Sequence, residues 1–341
     1  MRPGCEMRVL LVFVDGMGIG VEDAAVNPFI SAALAGEIPV FCGLFGRFGM
    51  IPRDRVKWGD GLIGVPVDAT LGFPGIPQSA TGQTALLTGE NAVAVAGGHV
   101  SGHPTPELRA LLERRCIYTT LRRSGKRVTF INAYRDESFE MMENGIYPAS
   151  VSTVAALSAS LPLRTVRDLM RRRAVYHDIT SEILRDRGYP VEMLSPGDAG
   201  AIAAGVAAGY DLSVFEFFLT DKVGHRQDME GARLALARLD AFLGGVLKAV
   251  REAGGGTCVI LTSDHGNVED LSTPEHTRNP VPAVFIGLPV GRSAGPRAAA
   301  RTEEIASIES IMDVPRVILR LTGVADDCAD ESTANAGDKG D

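Results

Sequence analysis

Residues 8–20 read RVLLVFVDGMGIG. The first seven are apolar almost throughout and rich in valine, without the alternation of a strand that has one wet face. They predict a strand buried on both sides, as in a parallel sheet covered by helices. Asp15 and the glycine-bearing turn then fall at the strand's carboxyl end, where open α/β sheets place ligands.

Four more segments extend this pattern: KRVTFINAY (126–134), YDLSVFEFFLTD (210–221), TCVILTSDHG (257–266) and PVPAVFIGL (280–288). Helix-like stretches lie between them, notably TPELRALLERRCIYTTLRRSG (105–125) and the amphipathic GARLALARLDAFLGGVLKAV (231–250). Strands alternating with helices predict an α/β fold with a doubly wound, mostly parallel sheet. Between 137 and 196 the pattern breaks into short helices and a basic run, Arg164, Arg167, Arg171, Arg172 and Arg173. We read residues 7–136 and 197–324 as the α/β core and 137–196 as a small inserted cap. The small, acidic stretch 325–341 reads as a disordered tail, and MRPGCE before Met7 as a disordered leader.

Composition narrows the function classes. The 341 residues carry a formal net charge of −8, which offers no basic footprint for nucleic acid. The run Val9–Val14 ends at Asp15, too short for a signal-peptide core, and no run approaches the roughly 20 apolar residues of a membrane span. Five scattered cysteines with no CxxC pair favour reduced thiols and a cytoplasmic location.

The predicted strand ends gather metal-ligating residue types. Asp15 ends the first, Asp221 the third with His225 four residues on, and Asp264–His265 the fourth; His276 just precedes the last. Each alone is ordinary: an Asp after a strand is usually a turn former, and a lone His a surface group. Together they predict a metal site. Carboxylates and imidazoles without thiolate suit Mn²⁺ or Zn²⁺. Three of each exceed what one catalytic ion takes while keeping an open position, and divide naturally between two ions.

Residues 74–89, PGIPQSATGQTALLTG, hold Ser79 and three threonines with no histidine beside them. Ser79 precedes a helix-like run, so it reads as an N-cap at a helix terminus where phosphate binds well. A metal would supply the activation that a neighbouring base does not.

DGMGIG (15–20), SATGQTALLTG (79–89), TDKVGHRQD (220–228), TSDHGNVED (262–270) and HTRNPVP (276–282), in that order, resemble the alkaline phosphatase superfamily of metalloenzymes. The nearest branch in motif is that of cofactor-independent phosphoglycerate mutase and phosphopentomutase. The resemblance implies an alkaline-phosphatase-like core with two divalent ions. One would be held by Asp221, His225 and His276, the other by Asp15, Asp264, His265 and the hydroxyl of the nucleophile. Ser79 matches the nucleophile's motif, with Gly82 three and Gly89 ten residues on, and Thr81 is the alternative.

The implied reaction is phosphoryl transfer on a small phosphorylated metabolite through a phosphoserine, as phosphatase or phosphomutase. The chain departs from the mutases at Gln83, where they usually carry histidine. It also has only 141 residues, Ala80 to Thr220, between nucleophile and third strand end, against a much larger insertion in the phosphoglycerate mutases. A short-capped phosphodiesterase, a phosphonate-cleaving hydrolase or a silent metal-binding module stays open. QSATG lacks the cysteine and downstream pattern of a sulfatase. Asn132, Arg135, Gln83 and Lys222 are candidate substrate contacts, and His99 and His103 lie in the loop after the Ser79 helix.

Overall fold

The computed structural model describes residues 6–47, 49–52, 57–59, 61–144, 146, 148–289 and 295–325. Nine strands lie among them: β1 (Arg8–Val14), β2 (Lys57–Gly59), β3 (Leu62–Val67), β4 (Val128–Phe130), β5 (Ala133–Tyr134), β6 (Arg164–Thr165), β7 (Leu212–Phe217), β8 (Thr257–Thr262) and β9 (Val281–Ile286). Seven form one sheet in the order β2-β3-β9-β8-β1-β7-β4, and β5 pairs with β6 separately. Apart from Glu6 the expected leader, and apart from Ala325 the expected tail, lie outside the described residues.

The apolar run 8–14 takes the sheet's interior, with β8 on one side and β7 on the other, both parallel to it. Val9, Leu11 and Phe13 face one hydrophobic layer, where they join Leu86, Leu108, Val151 and Val317. Leu10, Val12 and Val14 face the other, with Phe29, Phe41, Phe215, Leu236 and Phe242. The alternation follows from the two-residue period of a strand, and both faces bury apolar side chains against helices, as in a doubly wound sheet.

The expected mostly parallel α/β sheet is present, with β8, β1, β7 and β4 as its parallel part; β9 runs antiparallel to β8, and β3 antiparallel to β9. Two sequence expectations are corrected. The single strand expected over 126–134 is split into β4 and β5, which belong to different sheets. The strand expected over 210–221 ends at Phe217, and a short helix, Leu219–Gly224, carries Asp221 in its first turn.

The expected cap is split by its packing. Helix Val151–Ser158 buries Val151, Ala155 and Ala156 in the main core. A smaller cluster of Ala133, Val166, Leu169, Ala174, Tyr176, Leu184 and Val191 forms its own centre beside the sheet. Two arginines of the basic run are occupied there: Arg164 donates to Thr129 Oγ1 and to the Arg173 carbonyl, and Arg172 pairs with Glu192.

Register places the ligand residues. Val14 is level with Phe217, and Phe13 with Thr262, so Asp15, the Asp221 helix and Asp264–His265 emerge at one carboxyl edge.

Candidate metal centre

Two groups of potential ligands meet at this edge, each with its ligand atoms within 4.8 Å of one another: Asp221, His225 and His276, and Asp15, Asp264 and His265. All six sequence candidates are therefore brought together. The imidazoles of His265 and His276 stack with centroids 3.7 Å apart, joining the two groups, and His225 lies 4.8 Å from His276.

The histidines share one pose. Nδ1 of His225 lies 2.7 Å from the Pro274 carbonyl, Nδ1 of His276 2.9 Å from that of Pro77, and Nδ1 of His265 3.3 Å from that of Gly266. A carbonyl only accepts, so each Nδ1 carries a proton and Nε2 is the nitrogen each ring turns into the site. His225 Nε2 and His276 Nε2 then face each other at 3.1 Å, with Asp221 oxygens 3.3 Å from both. Two lone pairs at that distance repel unless a proton or a cation lies between them.

The second group carries the same signature. Asp15 Oδ1 and Asp264 Oδ2 are buried with no hydrogen-bond donor, although His265 Nε2 lies 3.3 and 3.5 Å from them. Burial, and then the charge of Asp264, raises Asp15 to about 7. Burial raises Asp264 to about 6 against the pull of His265. Burial alone would lower His265, but the charges of Asp264 and Asp15 override it and hold it up at about 10. Crowded carboxylates with orphaned oxygens, and imidazoles posed on Nε2, fit a divalent ion in each group.

This cluster predicts a pH dependence. Asp15, Asp264 and His265 all bind protons more tightly folded than unfolded, so each contributes stability at low pH that is lost as pH rises through its folded value. The metal-free protein is expected to lose thermal stability from about pH 4 to about pH 10, the carboxylates accounting for the lower part of the range and His265 for the upper. Saturating Mn²⁺ should flatten that slope, because a bound cation takes the protons' place; melting curves across pH with and without Mn²⁺ check this.

Ser79 lies at the second group, with Oγ 3.0 Å from His265 Nε2. It is the first residue of helix Ser79–Thr88 and not its cap: Gln78 holds the cap position and makes no side-chain cap bond. At this terminus the amides of Ala80 and Thr81 donate to the Val100 carbonyl, so these two are not turned to an anion. What the helix supplies is placement. Gly82 lets it approach the second group, since a Cβ there would come within 2.6 Å of the Asp264 carbonyl. Thr81 is fully buried, donates to the Gln78 carbonyl and accepts from Val100 N, so its hydroxyl is committed to the turn. Thr81→Val should cost about 1 kcal/mol of stability and leave activity within about twofold, read by denaturant unfolding and by rate.

The other candidates divide. Gln83 is buried with Nε2 3.4 Å from Asp15 Oδ2, beside the second group. Asn132 instead braces the core: its amide donates to the Glu216 carbonyl and accepts from Glu216 N. His103 Nδ1 lies 3.3 Å from the Ala149 carbonyl, and His99 packs under Gly75.

Lys222 sits with Nζ 4.5 Å from the Phe218 ring centroid, within electrostatic reach of Asp15 and Asp221. His177 stacks on Phe218 with centroids 4.3 Å apart and meets Tyr176 at a tilt, 4.2 Å between centroids. Burial, then the charges of Lys222, Arg135 and Arg187, holds His177 at about 3, hence uncharged. His177 and Arg187 escaped sequence reasoning, since nothing local in AVYHDIT or LRDRGY marks them. A buried carboxylate was missed as well: Glu216 accepts from Ser152 Oγ at 2.5 Å, and burial raises it to about 7.

Comparison with known proteins gives one family match over part of the chain and a likeness of fold over most of it. The Metalloenzyme superfamily model matches residues 195–324. The 2,3-bisphosphoglycerate-independent phosphoglycerate mutase of Dinoroseobacter shibae is 36% identical over 140 residues, which is 39% of this chain and 26% of that protein. The match thus spans about a quarter of the relative's length. Among solved structures, the PH0037 protein of Pyrococcus horikoshii superposes with a TM-score of 0.55 at 15% identity, over 94% of this chain and 98% of that one. Alkaline phosphatase from the Antarctic bacterium TAB5 gives 0.53 at 13% identity, over 94% and 98%. At these identities the likeness is one of fold.

Proposed function

From a chain whose residues 195–324 form a Metalloenzyme superfamily domain on an alkaline-phosphatase-like fold, we propose a metal-dependent enzyme that transfers a phosphoryl group through Ser79. The observation that carries this reading is the Ser79 hydroxyl beside a buried group of two carboxylates and one imidazole, 3.0 Å from His265 Nε2. Asp221, His225 and His276 would hold one divalent ion, and Asp15, Asp264, His265 and Ser79 the other. Bound there, the ions would lower the pKa of the serine hydroxyl and offset charge on the phosphoryl oxygens.

Ser79 Oγ attacks phosphorus and forms a new P–O bond as the bond to the substrate's leaving oxygen breaks, and the serine proton passes to that oxygen so that an alcohol departs. Water, or another hydroxyl of the same substrate, then attacks the phosphoserine, the Oγ–P bond breaks and the attacking group's proton restores the Ser79 hydroxyl; the first outcome is a phosphatase and the second a mutase. Gln83 supports Asp15. Lys222, Arg135 and Arg187, set around the uncharged His177, favour a small anionic substrate.

Metal-stripped protein should regain hydrolysis of an aryl phosphate monoester on adding Mn²⁺ or Zn²⁺. If neither ion restores activity on aryl monoesters or diesters, the enzyme reading fails. Lys222→Met and Arg187→Ala should each lower kcat/KM on an anionic phosphomonoester by about tenfold while bound-metal stoichiometry stays unchanged.

A further inference from the structure

DGMGIG, DHGNVE and HTRN meet at one side chain that none of the proposed chemistry uses, Glu269. It is fully buried, and both carboxylate oxygens are occupied. Oε2 accepts from Gly18 N at 2.8 Å and Asn267 N at 2.8 Å; Oε1 accepts from the Thr277 hydroxyl and from Asn279 Nδ2 at 3.0 Å. These donors lie on three separate loops. Gly18 is three residues after Asp15, Asn267 two after His265, and Thr277 directly after His276. Asn267 carries the connection further, because its Nδ2 donates to Asp221 Oδ1 at 3.0 Å.

The glycines around it have a matching explanation. A Cβ on Gly18 would stand 2.4 Å from Glu269 Oε1, and one on Gly266 2.3 Å from the same atom. Both glycines therefore clear space for this carboxylate. A buried charge is tolerated only where its lone pairs are satisfied, so the four donors and the carboxylate hold one another in place.

We infer that Glu269 is a positioning residue that sets the two ligand groups against each other, so that both metal sites depend on it. The inference rests on the two-metal reading above. Outer-shell partners of this kind are worth about 10- to 100-fold in metal affinity. Thr277 touches Glu269 from the His276 loop alone, which separates the effects. Calorimetric titration of metal-stripped protein with Mn²⁺ is expected to show Glu269→Gln weakening both sites by about 10- to 100-fold. Thr277→Val should weaken one site only, that of Asp221, His225 and His276, and Thr277→Ser should restore it. Circular dichroism of the metal-free variants should retain one cooperative unfolding transition.

Wild-type protein that binds no Mn²⁺ would overturn the metal reading itself. Wild-type protein that binds two ions, with Glu269→Gln matching it at both sites, would overturn the role of Glu269 alone. Should Glu269→Gln fail to fold, Thr277→Val and Asn279→Ala decide the matter: wild-type affinity at both sites in each refutes the inference.

Discussion

Ser79→Ala is expected to lower phosphoryl transfer by about 10³-fold or more, with both metal sites still able to fill. Of the hydroxyls in SATGQT, that of Ser79 is the one beside His265, and Thr81 spends its own on the Gln78 carbonyl. The alanine variant keeps the helix, because Ser79 is its first turn's opening residue and not its cap. The loss should therefore fall on kcat, with the melting temperature within a few degrees of wild type. A comparable loss in Thr81→Val, with Ser79→Ala active, would move the nucleophile.

Asp264→Asn should produce effects of opposite sign. Asp264 is fully buried, and burial raises it to about 6. In the metal-free protein at pH 8 its charge is therefore held against a folding cost, of the order of 3 kcal/mol. Asparagine removes that charge and keeps Oδ1, which accepts from the backbone amides of Gly16 and His265. The metal-free variant is expected to be as stable as wild type at pH 8, or more so, and to lose that advantage near pH 4. Its activity should nonetheless fall by about 10³-fold or more, because the second ion loses a charged ligand. A variant that is both less stable without metal and active with it would contradict the reading of this cluster.

Legibility in the sequence followed the physics of each element. β1, β7 and β8 stand out as apolar runs because helices cover both of their faces. β3, LIGVPV, was missed: Gly64 and Pro66 are breakers, tolerated here toward the sheet's end beside the three-residue β2. The direction of β9 was not legible either, since residue pattern reports burial and is blind to strand polarity. The six ligand candidates were readable because histidine is scarce in this chain and each stands near an apolar run. Glu269, Arg187 and His177 were not, since their partners lie on other loops and nothing in their local spacing announces them. Glycines in DGMGIG were read as a ligand turn, whereas Gly18 makes room for Glu269.

If Ser79 carries the phosphoryl group in a metal-dependent step, the phosphoserine can be trapped. Metal-stripped protein is incubated with an aryl phosphate, with and without Mn²⁺, quenched in acid, and its peptides read by mass spectrometry. Phosphate is expected on the peptide bearing Ser79 only when metal is present, and none in Ser79→Ala. Metal-dependent turnover by the wild type with Ser79 unlabelled, and undiminished in Ser79→Ala, would contradict it.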